Sequence, residues 1–114
     1  MIVEDKEYSV AYEQAERVVR FTGLLRLRSP RDYGPILELL RGAHAEGGPT
    51  LTLDLRALEM LNSSGIGTFG QFLVEVRKAG QTQVKILGSA EKPWQARTLG
   101  LLRKIWDQVE LIIS

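Results

Sequence analysis

The spacing of apolar residues switches between two and about 3.6 along the chain, which is typical of strands that alternate with helices. Between residues 19 and 27, alternation places one set on a single strand face: Val19, Phe21, Gly23, Leu25 and Leu27. A helical spacing follows Asp32, a continuous apolar run covers Thr50–Leu55, and a second helical spacing follows Ser63. This order predicts an α/β fold in which helices pack on a mixed sheet.

The sheet is predicted to contain about five strands. These are Tyr8–Tyr12, Val19–Leu27, Thr50–Leu55, Val84–Leu87 and Val109–Ile113. The first helix is expected to begin no earlier than Asp32, because Pro35 is tolerated only in a first turn. The last helix is expected to start near Ser89, with its apolar spacing through Trp94, Thr98, Leu101 and Leu102.

The central helix, expected from Ser63 to Gly80, is clearly amphipathic. One arc is apolar and should face the sheet: Ile66, Phe69, Leu73 and Val76. The opposite arc is polar and should face solvent, with Phe72 on its flank: Ser64, Thr68, Gln71, Glu75 and Lys78. At 100° per residue, Ser64 is therefore predicted to head an accessible polar stripe.

Composition limits the class of protein. A length of 114 residues predicts one domain, residues 1–114. Fifteen Lys and Arg against fourteen Asp and Glu provide no overall field to attract nucleic acid or a membrane. The absence of cysteine excludes disulfides and thiolate chemistry. Without a signal-peptide pattern or an apolar run of about 18 residues, we expect a cytoplasmic protein.

Two hydroxyls occur where the chain leaves a strand and enters a helix, in Asn62-Ser63-Ser64-Gly65-Ile66-Gly67. The first turn of a helix has N–H groups without intrahelical partners and carries partial positive charge. A phosphoserine would be stabilised there. An ordinary N-cap by Asn62 or Ser63 explains the same residues. The local pattern alone leaves both interpretations open.

The stretch Leu51–Gly67, Leu-Thr-Leu-Asp-Leu-Arg-Ala-Leu-Glu-Met-Leu-Asn-Ser-Ser-Gly-Ile-Gly, resembles the signature of STAS domains, the anti-sigma factor antagonist family. In that family a hydrophobic strand ends in Asp, and a motif of two hydroxyls followed by Gly-Leu/Ile-Gly begins a helix soon afterwards. A second, shorter similarity is Phe21-Thr22-Gly23-Leu24-Leu25, which resembles the Gly-x-Leu that ends the second strand of the family. With the order of elements, the resemblance covers most of the chain.

The resemblance implies site residues. Ser64 matches the second hydroxyl, which is the phosphorylated one in the family, and Ser63 is the second choice. Asp54 matches the Asp that ends the strand and is expected near the Ser63-Ser64 turn, and Gly65 and Gly67 match the glycines of the motif. The fold implied is a single STAS-like domain.

Two acidic positions of the family are changed here. Asn62 replaces the acid that usually precedes the hydroxyls, and Arg26 falls where a second acid follows the Gly-x-Leu. Both changes remove negative charge from the neighbourhood of Ser64. Either they prevent phosphorylation, or Arg26 pairs with the phosphate and makes the modified form more persistent.

Family members usually add a helix after the last strand, whereas the last element predicted here is the strand Val109–Ile113. This difference is expected to leave part of the sheet surface uncovered. It favours either a shortened variant or a partner that covers the sheet, and a homodimer is one such arrangement.

By resemblance, the protein is a phosphorylation-regulated binding module in bacterial signal transduction and transcription regulation. It is expected to bind an anti-sigma factor or serine-kinase-type protein when Ser64 is unmodified, and a PP2C-like phosphatase would remove the phosphate. The predicted contact residues lie on the central helix: Thr68, Gln71, Phe72 and Glu75. Two alternatives stay open, a non-phosphorylated STAS-like scaffold and a sensor of small anions at Ser63–Gly67.

Signals for catalysis are weak. The single histidine, His44, has no Cys or His partner, so neither nucleophilic nor metal-assisted chemistry is indicated, and we expect no enzyme and no metal. Residues 65–70 match Gly-x-Gly-x-x-Gly, but eight residues are expected to separate them from the strand that ends at Leu55, so no cofactor is expected. An arginine row forms a potential basic patch without a net basic excess: Arg17, Arg20, Arg26, Arg28 and Arg31.

Overall fold

A computed structural model describes all 114 residues. The strands are β1 (Ile2–Glu4), β2 (Tyr8–Glu13), β3 (Val18–Leu25), β4 (Thr50–Leu61), β5 (Gln83–Gly88) and β6 (Glu110–Ile113). The helices are α1 (Gly34–Ala45), α2 (Ser63–Ala79) and α3 (Pro93–Ile105), and a 3₁₀ helix at Pro30–Tyr33 precedes α1. None of the three α-helices is both long and apolar enough to cross a lipid bilayer.

The six strands form one mixed sheet in the order β1-β2-β3-β4-β5-β6. The pairs β1–β2 and β2–β3 are antiparallel, and the three pairs from β3 to β6 are parallel. Each parallel pair is joined by one helix, and right-handed crossovers in this order place all three helices on the same face. The fold therefore confirms the predicted α/β class.

The core lies between the helices and one face of the sheet, where 25 apolar residues are buried together. The alternation predicted for β3 is confirmed, because Val19, Phe21 and Leu25 are fully buried. The other sheet face carries no helix. Its side chains are mostly polar or half-exposed, among them Arg20 and Lys85.

Strand β4 differs most from the prediction. The predicted strand ended at Leu55, whereas β4 continues to Leu61. Two register shifts against β3 mark bulges in this second half. A bulge interrupts the alternation of side chains, so Leu58 and Leu61 are both buried although they are three residues apart. This spacing is why the sequence pattern did not indicate a strand.

The predicted mixed sheet is confirmed, with six strands against about five expected, since the three-residue β1 was not indicated by the sequence pattern. The predicted start of the last helix was wrong. Helix α3 begins at Pro93 instead of Ser89, since proline fits the first helical position. Its buried face is Gln95, Leu99 and Leu102, and Leu101 is 44% exposed.

Candidate site at the start of helix α2

Asn62 is the N-cap of α2. Its backbone is extended, with φ −84° and ψ 177°, and its Oδ1 accepts a hydrogen bond from the Gly65 N–H at 3.0 Å. The helix then runs to Gly80, which adopts the left-handed conformation at φ 74°. The capping interpretation of Asn62 and the predicted C-terminal glycine are both confirmed.

The Asn62 side chain also joins three parts of the fold. Its Oδ1 accepts a hydrogen bond from the Tyr33 hydroxyl at 2.7 Å, and its Nδ2 donates to the Leu27 carbonyl at 2.7 Å. Tyr33 is fully buried, and burial raises the pKa of its phenol. The position therefore requires a donor and an acceptor in one short side chain. An aspartate could still cap the helix, but it would lack the donor for Leu27, which gives a physical reason for asparagine here.

Ser63 and Ser64 occupy the first two positions of α2. Ser63 is exposed, whereas Ser64 is half-buried. Neither N–H has an acceptor within the helix, because only later residues reach back to a carbonyl four positions earlier. The first turn contains no acidic residue. Two hydroxyls therefore lie at an uncompensated, partly positive helix end.

The predicted accessible stripe on α2 is only partly correct. Gln71 is exposed, and Glu75 is half-exposed and accepts two hydrogen bonds from Arg41 of α1 at 2.9 and 2.7 Å. Thr68 and Phe72 are buried, with 5% and 0% of their surface exposed, so the prediction that Thr68 faces solvent with Phe72 on the flank was wrong, and neither side chain offers a surface to a partner. The physical reason is that α1 packs beside α2 and covers this flank.

Thr68 and Phe72 have internal partners instead. The Thr68 hydroxyl donates to the Ser64 carbonyl at 2.9 Å, within the helix itself. The Phe72 ring packs edge-on against His44 of α1, with ring centroids 6.1 Å apart. Both side chains therefore belong to the interior of the domain.

Asp54 is not near the serines. It lies in the middle of β4, opposite Arg20 of β3, while Leu61 lies opposite Leu25. Arg20 and Leu25 are five residues apart on β3, so Asp54 and Leu61 are separated along the strand direction by about 16 Å at about 3.3 Å per residue. The expectation that Asp54 ends its strand beside Ser64 was wrong, because β4 continues beyond it.

Asp54 instead belongs to an ion-pair cluster on the uncovered sheet face. Its carboxylate accepts hydrogen bonds from Arg56 Nε and NH2 at 3.0 and 2.9 Å, and Arg20 Nε lies 3.6 Å away. The bonds from Arg56 hold the pKa of Asp54 below its ordinary value. An open depression of about 490 Å³ covers this cluster, and Lys92 lies at its border.

Arg26 directs its side chain away from the helix start. Its guanidinium binds both carboxylate oxygens of Glu7, which lies between β1 and β2, with Nε–Oε1 at 3.1 Å. This pairing lowers the pKa of Glu7. The main chain on either side of Arg26 does contact the site, because Asn62 bonds to the Leu25 and Leu27 carbonyls. No pattern in the sequence indicated Glu7 as the partner of Arg26.

The glycines of α2 have packing roles. A Cβ on Gly65 would lie 2.4 Å from Leu61 Cδ1 and 2.8 Å from the Tyr33 hydroxyl, so any larger residue would force these side chains to shift. A Cβ on Gly70 would lie 2.8 Å from Ile105 Cδ1 of α3. Gly67 has no such neighbour. All three lie inside the helix and not in a loop before it, so the Gly-x-Gly-x-x-Gly spacing has no phosphate-loop geometry here.

No protein-family model matches the sequence, and a search of curated proteins finds no match. Solved structures do match. SiaC of Pseudomonas aeruginosa in its apo form aligns with a TM-score of 0.75 at 16% identity, over 100% of this chain and 97% of SiaC. The structure of SiaC in complex with the diguanylate cyclase SiaD, which SiaC activates, aligns with a TM-score of 0.72 at 15% identity, over 99% of this chain and 97% of the matched chain.

A third match comes from the family that the sequence resembles. An anti-sigma factor antagonist from Mycobacterium paratuberculosis aligns with a TM-score of 0.58 at 18% identity, over 98% of this chain and 82% of that one. At these identities the likeness concerns the fold. The alternation of strands and helices, the single mixed sheet and these alignments agree that the protein is a STAS-like domain in its fold.

Proposed function

We propose that this protein is a phosphorylation-regulated protein-binding module whose switch residue is Ser64, with Ser63 as the second choice. The observation that carries the proposal is the start of α2, where two hydroxyls lie on N–H groups without acceptors and no acid occupies the first turn. On a STAS-like fold this is the position of the hydroxyl motif. The unmodified form binds the partner, and the modified form releases it.

The physical basis is the charge that a phosphate adds. A kinase transfers a phosphoryl group from a nucleoside triphosphate to the Ser64 hydroxyl, which brings about −1.5 to −2 charges to the surface. Within the free domain the helix N-terminus stabilises this charge, so the fold is retained. Against a partner surface that carries negative charge, each like-charge contact costs several kcal/mol, and about 4 kcal/mol lowers affinity about a thousandfold.

Two kinds of partner are candidates. The resemblance to anti-sigma factor antagonists favours an anti-sigma factor of the serine-kinase type, with a PP2C-like phosphatase that resets the switch, in bacterial transcription regulation. The likeness to SiaC, which activates a diguanylate cyclase, favours a cyclase of that kind as the alternative partner. In either case the protein is a regulator in the cytoplasm and not an enzyme. Within residues 63–71 of α2, the exposed residues are Ser63, Gly67 and Gln71.

The first test is mass spectrometry of the protein purified from its own cells. Trypsin releases Ala57–Arg77, which contains only three hydroxyl side chains, those of Ser63, Ser64 and Thr68. Electron-transfer fragmentation between the two serines assigns the phosphate to one of them. Phosphate on Ser64 supports the proposal, and phosphate on Ser63 moves the switch by one residue. No phosphate under any growth condition contradicts it.

The second test measures partner binding of Ser64→Ala and Ser64→Asp by titration calorimetry, with Ser63→Asp as the matched control. A switch at Ser64 predicts wild-type affinity for Ser64→Ala and a large loss for Ser64→Asp. Equal binding by both variants favours the constitutive scaffold. A sensor of small anions is the remaining candidate, and it predicts stabilisation by about 2.7 kcal/mol when the anion is at a hundredfold of its dissociation constant.

A further inference from the structure

Helix α3 exposes a stripe in which apolar and cationic residues alternate. Its members are Trp94, Arg97, Leu101 and Lys104, at the spacing i, i+3, i+7, i+10 that defines one side of a helix. Arg97 and Lys104 are exposed, Trp94 is half-buried, and 44% of the Leu101 surface is exposed. We call these four residues the α3 stripe. Since the core receives other residues of α3, the stripe is free to contact a partner.

The charge of this region differs from that of the rest of the molecule. Residues 92–105 contain four cations and no acid, and the whole chain has a net charge of +1, so the remainder carries −3. Neither Arg97 nor Lys104 forms an ion pair. Other arginines of the protein do: Arg20, Arg26, Arg41 and Arg56. The α3 stripe therefore presents positive charge that no carboxylate of this chain neutralises.

Helix α2 lies beside the stripe. The two helices are in contact where Gly70 faces Ile105, and the Arg77 side chain donates to the Ile105 carbonyl at 2.8 Å. Gly67 is on the same side of α2 as Gly70, one turn earlier, and nothing occupies the space where its Cβ would be. Gly67 is exposed and carries no side chain that could cover the stripe from this position.

We propose that the α3 stripe is a docking surface for an acidic amphipathic helix of a partner protein. The partner's apolar residues contact Trp94 and Leu101, and its carboxylates pair with Arg97 and Lys104. A helix fits because residues on one side of a partner helix recur at the same spacing as the stripe, so the two helices can pack side by side. The proposal rests on the proposed function only in that the protein binds proteins, and it does not depend on Ser64.

The same surface is less suited to a membrane or to nucleic acid. A helix that binds a lipid surface inserts a broad apolar face, whereas the apolar face of α3 is already buried in the core. Nucleic-acid binding relies on many phosphate contacts, and the stripe offers two cations separated by leucine. A stripe in which apolar and cationic residues alternate is instead complementary to a helix in which apolar and acidic residues alternate.

The test is site-specific photocrosslinking in the cells that produce the protein. Leu101 is replaced by p-benzoylphenylalanine in the full chain. The matched control carries the same replacement at Ile112, which is 40% exposed on β6. Crosslinked peptides are identified by mass spectrometry. A second variant, Arg97→Glu/Lys104→Glu, is compared with the matched double variant Arg28→Glu/Arg31→Glu, whose cations are also exposed and unpaired.

The expected result is a crosslink from position 101, and not from 112, to an acidic amphipathic helix of one protein. A synthetic peptide of that helix should bind at least about tenfold more weakly to Arg97→Glu/Lys104→Glu than to the wild type or to the control double variant. A crosslink only to lipid or nucleic acid, a crosslinked segment without acidic residues, equal crosslinking at both positions or no crosslink at 101 overturns the proposal. If position 101 crosslinks as expected while Ser64→Asp still binds the partner, the switch fails and the docking surface stands.

Discussion

The hydrogen bonds of Asn62 allow a quantitative test of the site. In Asn62→Ala, the Gly65 N–H loses its cap, which costs about 1 kcal/mol of unfolding free energy. The Tyr33 hydroxyl, in a fully buried side chain, loses its acceptor, which costs a further 1–3 kcal/mol or so. These two losses add to about 2–4 kcal/mol, and the lost bond to the Leu27 carbonyl makes this a lower bound for the single variant.

A double-mutant cycle isolates the contact with Tyr33. Tyr33→Phe removes the donor while Asn62 keeps the Gly65 N–H, so it should cost about 1 kcal/mol. In that background Asn62→Ala no longer leaves a buried hydroxyl unpaired, and only the cap and the bond to Leu27 are lost. The two changes should therefore be less than additive, with a coupling energy of about 1–3 kcal/mol.

Urea unfolding followed by far-UV circular dichroism measures the four stabilities, and equal m-values confirm that the comparison is valid. Ser63→Ala, in the next residue, is exposed and serves as a control that should change stability by less than about 0.5 kcal/mol. Additivity of Asn62→Ala and Tyr33→Phe within about 0.5 kcal/mol would refute the reasoning. It would mean that the Tyr33–Asn62 bond contributes nothing in solution.

Three further predictions follow from single positions. Gly23→Ala is expected to cost about 3 kcal/mol or more by thermal unfolding, since Gly23 has φ +88° and a Cβ would lie 2.1 Å from a backbone oxygen; a loss under about 1 kcal/mol would contradict this geometry. Gly65→Ala should destabilise the protein by about 1–3 kcal/mol, because its Cβ meets neighbouring side chains. Gly67→Ala should stabilise the protein by up to about 1 kcal/mol, because its Cβ meets open space and alanine favours the helix. A Gly67→Ala variant less stable than Gly65→Ala would be inconsistent with the packing of α2. Arg56 lowers the pKa of Asp54 from its ordinary 3.8, so the ion pair stabilises the protein above pH 3.8 and this stabilisation is lost as the pH falls below 3.8. Asp54→Asn should therefore flatten the curve of urea midpoint against pH below pH 3.8. An unchanged slope would exclude the Asp54–Arg56 pair as the cause of the pH dependence.

The change from an acid to Asn62 has a structural explanation that does not involve phosphorylation. The side chain donates to the Leu27 carbonyl, and a carboxylate at 2.7 Å from that oxygen would repel it. The change therefore neither supports nor excludes a switch at Ser64. Arg26, the other changed position, neutralises Glu7 instead of facing the helix start.

Long periodic segments were predictable because their pattern repeats over several turns. The bounds of α2 follow from the capping residue Asn62, the apolar arc and the glycine at position 80, and the structure agrees at both ends. The alternation of β3 identified its buried face for the same reason. Local signals of this kind are properties of a single element and need no knowledge of its neighbours.

Contacts between distant elements were not predictable. Thr68 was expected to face solvent with Phe72 on the flank, and the packing of α1 beside α2 buries both. Leu101 belonged to the apolar spacing that predicted the last helix, and the rotation of α3 on the sheet leaves 44% of its surface exposed. The sequence of a helix fixes which residues share a side, but the neighbouring elements decide which side is covered.

The sequence by itself determined the order of the helices and of every strand except β1, the α/β class and the start of α2 with its two serines. Only the tertiary structure decided that β4 continues past Asp54, that Asn62 joins Tyr33 to Leu27, and that α3 presents its cations outward. The physical reason is the distance along the chain over which each interaction acts. Periodicity, caps and turns act within a few residues, whereas bulges, buried hydrogen bonds and helix rotation depend on residues tens of positions apart that meet only in the folded chain.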